Sequence, residues 1–319
     1  MTGPNGSVVT FGETMALVRT VEIGSLRHAH SLAFGIGGAE SNVAIGLRRL
    51  GASASWLGRV GDDSLGERVR REIRGEGVDV HGIVDADAAT GLMVKERPSA
   101  ASTAVHYYRA GSAGSRLSAA DLPEGWVEGA AILHLTGITP LLSASAREAV
   151  LVAADRATAA GVIVSFDINY RSALASPASA GPILREIAER ADLVFGGADE
   201  FAVLYPDASP AEAAAALRVA GCAEVVVKRG PDGAAVFADA DVVEAAGFTI
   251  DVVDTVGAGD AFVAGYLSAR LDGLDLDATL RRANACGAMA CLVPGDWEAA
   301  PTRRELERFL DGGGDPVQR

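Results

Sequence analysis

Residues 254–267 read DTVGAGDAFVAGYL. Two glycines bracket Ala258, Asp260 follows at once, and small and apolar residues then continue at helical spacing. A glycine-rich turn into a helix leaves the N–H groups of Gly257, Ala258, Gly259 and Asp260 without intrahelical acceptors, and the helix dipole adds positive potential there. Such a turn suits a phosphate or an oxyanion. An aspartate at its mouth has two readings. It caps the helix, as Asp commonly does, or it is a general base that takes a proton from a hydroxyl attacking a phosphoryl group held by those N–H groups.

The preceding FTIDVVDTV (248–256) has the composition of a strand, and similar apolar runs recur along the chain: VVTFGE (8–13), SASWLGRVG (53–61), AILHLTG (131–137), VIVSFDIN (162–169), DLVFGG (192–197), EVVVKRG (224–230) and AAVFAD (234–239). Segments with helical spacing lie between them, at 41–50, 64–76, 145–160, 179–190 and 210–220, several opened by Ser, Asp or Pro. Alternation of this kind predicts an α/β fold with a doubly wound, mostly parallel sheet and helices on both faces. Residues 14–37 and 83–112 break the rhythm with alternating side chains and turn residues, which predicts a small β lid outside the main sheet. The tail DGGGDPVQR (311–319) is expected to fray.

The 319 residues are 49% hydrophobic and 22% charged, the composition of an ordinary folded protein that one domain can accommodate. A formal charge of −14 argues against nucleic acid or an anionic membrane as partner. No apolar run reaches the length of a membrane span, and the start MTGPNGSVVTFGET lacks the charged and apolar regions of a signal peptide. Three cysteines without metal-ligand spacing read as buried free thiols. Together these features predict a cytoplasmic protein. No P-loop is present, and GIGGAES (35–41) fails the dinucleotide pattern at Glu40.

DTVGAGDAF (254–262) resembles the C-terminal signature of the PfkB, or ribokinase-like, family of sugar kinases, and GIGGAESNVAIGLRRLG (35–51) resembles its N-terminal signature. GRVGDDSLGERVRREIRGEGVDV (58–80), VVVKRGPDGAAVF (225–237) and RRANACGAMACLVPGD (281–296) continue the likeness over nearly the whole chain. The resemblance implies a ribokinase-like fold, ATP and Mg2+ as partners in phosphoryl transfer, and Asp260 as the base. HYYRAGSAGSRLS (106–118), LHLTGITP (133–140) and SFDINYRSAL (165–174) are similar to the members that act on 2-keto-3-deoxygluconate. A sugar acid carries a carboxylate far from the hydroxyl to be phosphorylated, and Arg109 and Arg171 are candidates to grip it, since guanidinium binds carboxylate bidentately. Each can equally be an arginine with a local acidic partner.

By the same resemblance Gly37 and Gly38 admit the sugar to the backbone, Asn42 and Tyr107 reach its hydroxyls, the Ile138 backbone lines the pocket and Asp296 contacts substrate. Asn42 can instead cap its helix, and Gly38 can serve the turn alone. Two positions depart from the subgroup pattern: Met93 stands for a tyrosine, and Leu174-Ala175 for Leu-Trp. Lys228 and Gly230 are implied near the phosphates or ribose and Asn284 near the adenine. Glu200 is what remains of an N-x-x-E element that orders hydrated Mg2+, with Gly197 in place of its Asn. Asp254 and the Val256 carbonyl stand where several relatives bind a monovalent cation such as K+. Kinases for neutral sugars and a non-catalytic sugar-binding protein are the alternatives. Exposed apolar edges on lid strands predict a homodimer.

Overall fold

The computed structural model describes residues 6–99, 102–238 and 241–312. The chain runs from β1 (Ser7–Phe11) through β2 (Met15–Thr20) and β3 (Leu32–Gly37) into α1 (Ala39–Arg49). It continues through β4 (Ser53–Gly61), α2 (Ser64–Gly75), β5 (Asp79–Asp85), β6 (Leu92–Ser99) and β7 (Ser102–Tyr108). The alternating part follows as β8 (Ile132–Thr136), α3 (Ala144–Ala160), β9 (Ile163–Asp167), α4 (Pro177–Ala188), β10 (Leu193–Gly197), α5 (Ala198–Leu204), α6 (Pro210–Ala220) and β11 (Glu224–Lys228). The last elements are β12 (Ala234–Ala238), β13 (Asp241–Ala245), α7 (Ala258–Leu271), α8 (Leu276–Ala290) and α9 (Arg303–Leu310).

Local chemistry explains the helix boundaries. Asp63 caps α2 by accepting from the Gly66 N–H, and Ser143 caps α3 from the Ala146 N–H. Ser209 and Glu212 form a reciprocal capping box on α6, with Pro210 in its first turn. Gly161 and Gly221 end α3 and α6 in the left-handed conformation.

Nine strands among the described residues form one sheet in the order β13-β12-β11-β10-β9-β8-β1-β4-β5. Pairings from β5 to β11 are parallel, and β12 and β13 close one edge antiparallel. Both faces are buried, so the period-two alternation of strand side chains divides one apolar run between two cores. Val9, Leu57, Val194 and Val225 pack with Ala153, Leu184 and Leu217 of α3, α4 and α6. Val8, Trp56, Phe195 and Val226 face the other way, onto Leu47, Ile73, Tyr266 and Leu280 of α1, α2, α7 and α8. Strand order reverses between β1 and β8, and ligands of open α/β sheets collect beyond the carboxyl ends of strands near such a reversal.

The lid is a separate four-stranded sheet in the order β3-β2-β6-β7. One of its expected boundaries moves: residues 83–85 end β5, which pairs parallel with β4 in the main sheet. The strand expected at 248–256 is also corrected. Residues 246–255 form no regular strand, because β13 already occupies the sheet edge, and the segment is a strap tied down by the Val253 N–H to the Cys291 carbonyl at 2.8 Å. The three cysteines are buried free thiols. No helix among the described residues is long and apolar enough to cross a membrane. Residues 1–5 of the N-terminal stretch and 313–319 of the tail lie outside the described residues.

Candidate active site

A cavity of about 390 Å³ opens between the lid and the carboxyl ends of β9 and β11. Met93, Lys95 and Tyr107 line it from the lid, Asp167 and Lys228 from the strand ends, and Gly257, Gly259 and Asp260 from the start of α7. The turn expected from the sequence is therefore a wall of this cleft. Gly257 is the N-cap, with φ +78°, and a Cβ there would overlap the Asp296 carbonyl oxygen. Both facts require glycine at this position. The Ala258 N–H turns back to the Thr255 carbonyl at 3.3 Å. Gly259 and Asp260 supply first-turn N–H groups that a helix cannot pair internally.

Asp260 sits at the third helical position, so it is not the capping residue. Asn42 Nδ2 donates to its Oδ2 at 2.8 Å, across 218 residues of sequence. Burial pushes the Asp260 carboxyl up to about 7, opposed by the Asn42 hydrogen bond and the Arg171 charge and reinforced by Asp167. A carboxyl poised there is half ionised near neutrality, the condition that suits a general base. Asn42 Oδ1 has no partner among the described residues.

Lys228 Nζ donates to Asp167 Oδ1 at 2.7 Å and lies 3.6 Å from Glu200 Oε2. Burial works against its charge, but Asp167 and Glu200 overcome that and hold the ammonium above its ordinary range. A Cβ on Gly259 would sit 3.8 Å from Lys228 Nζ, so the ammonium and the helix N-terminus face one space. Glu200 anchors the start of α5: Oε2 accepts from the Gly197 N–H at 2.7 Å and Oε1 from the Tyr170 N–H at 3.0 Å. Burial raises its pKa, with Lys228 opposing. Asn169, another lining residue, takes φ +37°, a region that Asn tolerates better than most side chains. No group of three or more His, Cys, Asp or Glu side chains able to hold a metal occurs among the described residues.

The two candidate arginines part company. Arg171 lines the cavity, is exposed, and its side chain forms no hydrogen bond or ion pair among the described residues. Arg109 does not line it. Its Nη2 lies 2.6 Å from Glu13 Oε2 and its Nε donates to the same oxygen at 2.7 Å, while Ser112 Oγ donates to Oε1. Glu13, buried and unremarked in the sequence, explains the difference, and Arg109 is thereby the arginine with a local acidic partner. Its guanidinium also stands 5.8 Å from the centre of the Tyr107 ring.

On the lid side Asp296 lines the cavity, and burial pushes its carboxyl up to about 6, against the pull of Lys95. A Cβ on Gly37 would strike Met93 and Asp296, and one on Gly38 would strike the Glu13 carbonyl and Thr14, so the first glycine meets cavity residues and the second the connection between β1 and β2. The Asp254 carboxylate is already paired, with Lys95 Nζ at 2.7 Å, and its Oδ1 accepts from the Val256 N–H at 3.2 Å. Lys95 escaped notice in the sequence. The signal was the alternation in GLMVKE, which puts positions 93 and 95 on one face of a strand.

Three other candidates sit outside the cavity lining. The Ile138 N–H donates to Thr136 Oγ1 at 3.2 Å and its carbonyl accepts from the Leu141 N–H at 3.1 Å, so both backbone groups are engaged. Asn284 Nδ2 donates to the carbonyls of Ala245 and Ala246, fastening α8 to the end of β13. Gly230 turns the chain after β11 with φ +58° in open surroundings.

A family model described as pfkB family carbohydrate kinase matches residues 5–303. A 2-dehydro-3-deoxygluconokinase of Bacillus subtilis is 38% identical over 306 residues, 95% of this chain and 94% of that protein. A 2-dehydro-3-deoxygalactonokinase of Haloferax volcanii is 39% identical over 317 residues, 98% of this chain and 99% of that protein. The crystal structure of a candidate ribokinase II from E. coli in complex with ATP and Mg2+ has a TM-score of 0.89 at 26% identity, covering 96% of this chain and 99% of that one. With the glycine turn, the buried aspartate and the β lid assembled on one doubly wound sheet, the chain belongs to the pfkB family of carbohydrate kinases.

Proposed function

We propose that this protein transfers the γ-phosphoryl group of ATP to the terminal hydroxyl of a 2-keto-3-deoxy sugar acid, with 2-keto-3-deoxygluconate as the leading substrate. The observation that carries the reading is Asp260: a buried carboxyl held by Asn42, poised near neutrality, beside a helix N-terminus and Lys228 in one cavity. Asp260 takes the hydroxyl proton as the oxygen attacks the γ-phosphorus, and the bond to the bridging oxygen breaks with its electron pair leaving on ADP. The first-turn N–H groups of Gly259 and Asp260, with Lys228, meet the charge on the transferring group. The unpartnered Asn42 Oδ1 offers an acceptor beside the base.

Arg171 supplies the cation for the substrate carboxylate, because its exposed side chain lines the cavity and forms no hydrogen bond or ion pair among the described residues. The relatives named for the gluco and galacto acids make these the two candidates of first choice. Asp167 and Glu200, whose carboxylates lie beside Lys228, would hold a hydrated Mg2+ bound with the nucleotide, and the ion would neutralise phosphate charge. The lid excludes water that would otherwise take the phosphoryl group. The engagement of Arg109 by Glu13 is the one observation that favours a neutral sugar instead, since it removes one of two expected cations. The outer lid carries exposed Phe34 and Tyr108, which supports a homodimer through this sheet, and light scattering at micromolar concentration tests it.

An ATP-coupled assay across 2-keto-3-deoxygluconate, its galacto epimer, fructose and ribose tests the main reading. Preference for either sugar acid by a factor of about 10 to 100 is expected from a charge-assisted contact. Preference for fructose or ribose removes the role given to Arg171.

A further inference from the structure

Lys95 is the lysine of lid strand β6, and its side chain is only 4% exposed. Its Nζ lies 2.7 Å from Asp254 Oδ2 and 3.4 Å from Asp296 Oδ1, two carboxylates that are themselves 3% and 7% exposed. These acids belong to different segments: Asp254 to the strap before α7, Asp296 to the loop after α8. Both segments frame the glycine turn. The Val256 N–H binds Asp254 Oδ1, and the Gly295 N–H reaches Asp254 Oδ2 at 3.5 Å. The main chain of Asp296 packs so closely on Gly257 that no Cβ fits between them.

Remove the ammonium and two buried carboxylates face each other with one cation fewer, a juxtaposition that low-dielectric surroundings make strongly repulsive. The segments would part where their contact shapes the turn that presents Gly259 and Asp260 to the cavity. We propose that Lys95 is a positioning residue for phosphoryl transfer: by seating one lid ammonium between Asp254 and Asp296, it makes the geometry of the α7 N-terminus depend on the lid being down. Lid closure and assembly of the phosphoryl site are then one event, and a lid lifted for substrate entry leaves the turn slack. The proposal rests on the kinase reading above, though not on which sugar acid is used.

The test begins with the wild type, MgATP and the sugar acid it turns over, so that failure of the kinase reading shows as absent wild-type turnover and is separated from failure of this proposal. Lys95→Ala, Lys95→Arg and the charge-neutral pair Lys95→Met with Asp254→Asn are then compared. For Lys95→Ala the expectation is a kcat loss of about 100-fold, of the order that small misplacement of reacting groups causes, with sugar KM changed less than about threefold. Methylammonium chloride should restore at least tenfold of that loss by filling the vacated position, choline chloride should not, and Lys95→Arg should retain more kcat than Lys95→Ala. A purely structural lysine predicts lowered Tm with kcat near wild type and no rescue, and that result overturns the proposal. If Lys95→Ala does not fold, the neutral pair decides. Set beside Lys95→Met alone, the pair isolates the repulsion: a low kcat in the single variant, recovered at least tenfold in the pair, sustains the proposal, and a single variant at wild-type kcat refutes it.

Discussion

Replacing Asp260 by asparagine separates the chemistry of this carboxyl from its burial. Burial holds the carboxyl at about 7 in the fold against an ordinary value of 3.8. A raised carboxyl favours the protonated fold, so its stability contribution is complete below about pH 3.8, falls as the unfolded chain ionises, and is fully lost above about 7. At about 1.4 kcal/mol per pH unit, the ionised wild type at pH 8 gives up roughly 4 kcal/mol, a ceiling because water penetration softens desolvation. The substituted amide never ionises and still accepts the Asn42 hydrogen bond through its oxygen. With an unfolding entropy of roughly 2.1 cal/mol/K per residue, Asp260→Asn should raise Tm at pH 8 by as much as about 6 °C, with the gain shrinking toward zero near pH 4. The same variant should lose about 1,000-fold or more in kcat. Calorimetry across pH and a coupled ATP assay read the two effects. No gain in Tm at pH 8 refutes the desolvated carboxyl, and near-normal turnover refutes the base.

Asn42→Ala removes the hydrogen bond that draws the Asp260 carboxyl downward, so the acid limb of kcat/KM should move to higher pH than in the wild type; an unchanged limb in a pH profile rejects the link. At pH 7 that variant should lose about 10- to 100-fold in rate, with part of the loss recovered at pH 9. Arg171→Met should raise KM for the sugar acid about 10- to 100-fold with little change in Tm, as steady-state kinetics and a melt will show. Arg109→Met should do the opposite: it strands Glu13, whose side chain is 1% exposed, at a stability cost of about 3–5 kcal/mol, visible in denaturant melts.

What the sequence disclosed followed from local rules. The run SASWLGRVG coincides with β4, and the caps Asp63, Ser143 and Ser209 open the helices expected there, because strand alternation and capping act over a few residues. The left-handed N-cap of α7 was equally readable, since Gly257 itself supplies its φ of +78°. Partnerships across long separations were not. Nothing in the sequence tells that Glu13 engages Arg109 96 residues away, that Asn42 holds Asp260, or that Lys95 reaches Asp254 159 residues on. Composition also misled at 248–256, whose β-branched residues suit a strand but find the sheet edge taken by β13.

The route of the chain from β3 into α1 has a mechanical consequence. The lid strand ends at Gly37, α1 begins at Ala39, and Gly38 alone lies between. Asn42 follows within the first turn of that helix, its side chain on Asp260. A lid raised to admit sugar must therefore pivot at a single glycine or drag the helix with it. The cover and the support of the Asp260 carboxyl are one continuous lever, with its fulcrum one helical turn before the amide it carries.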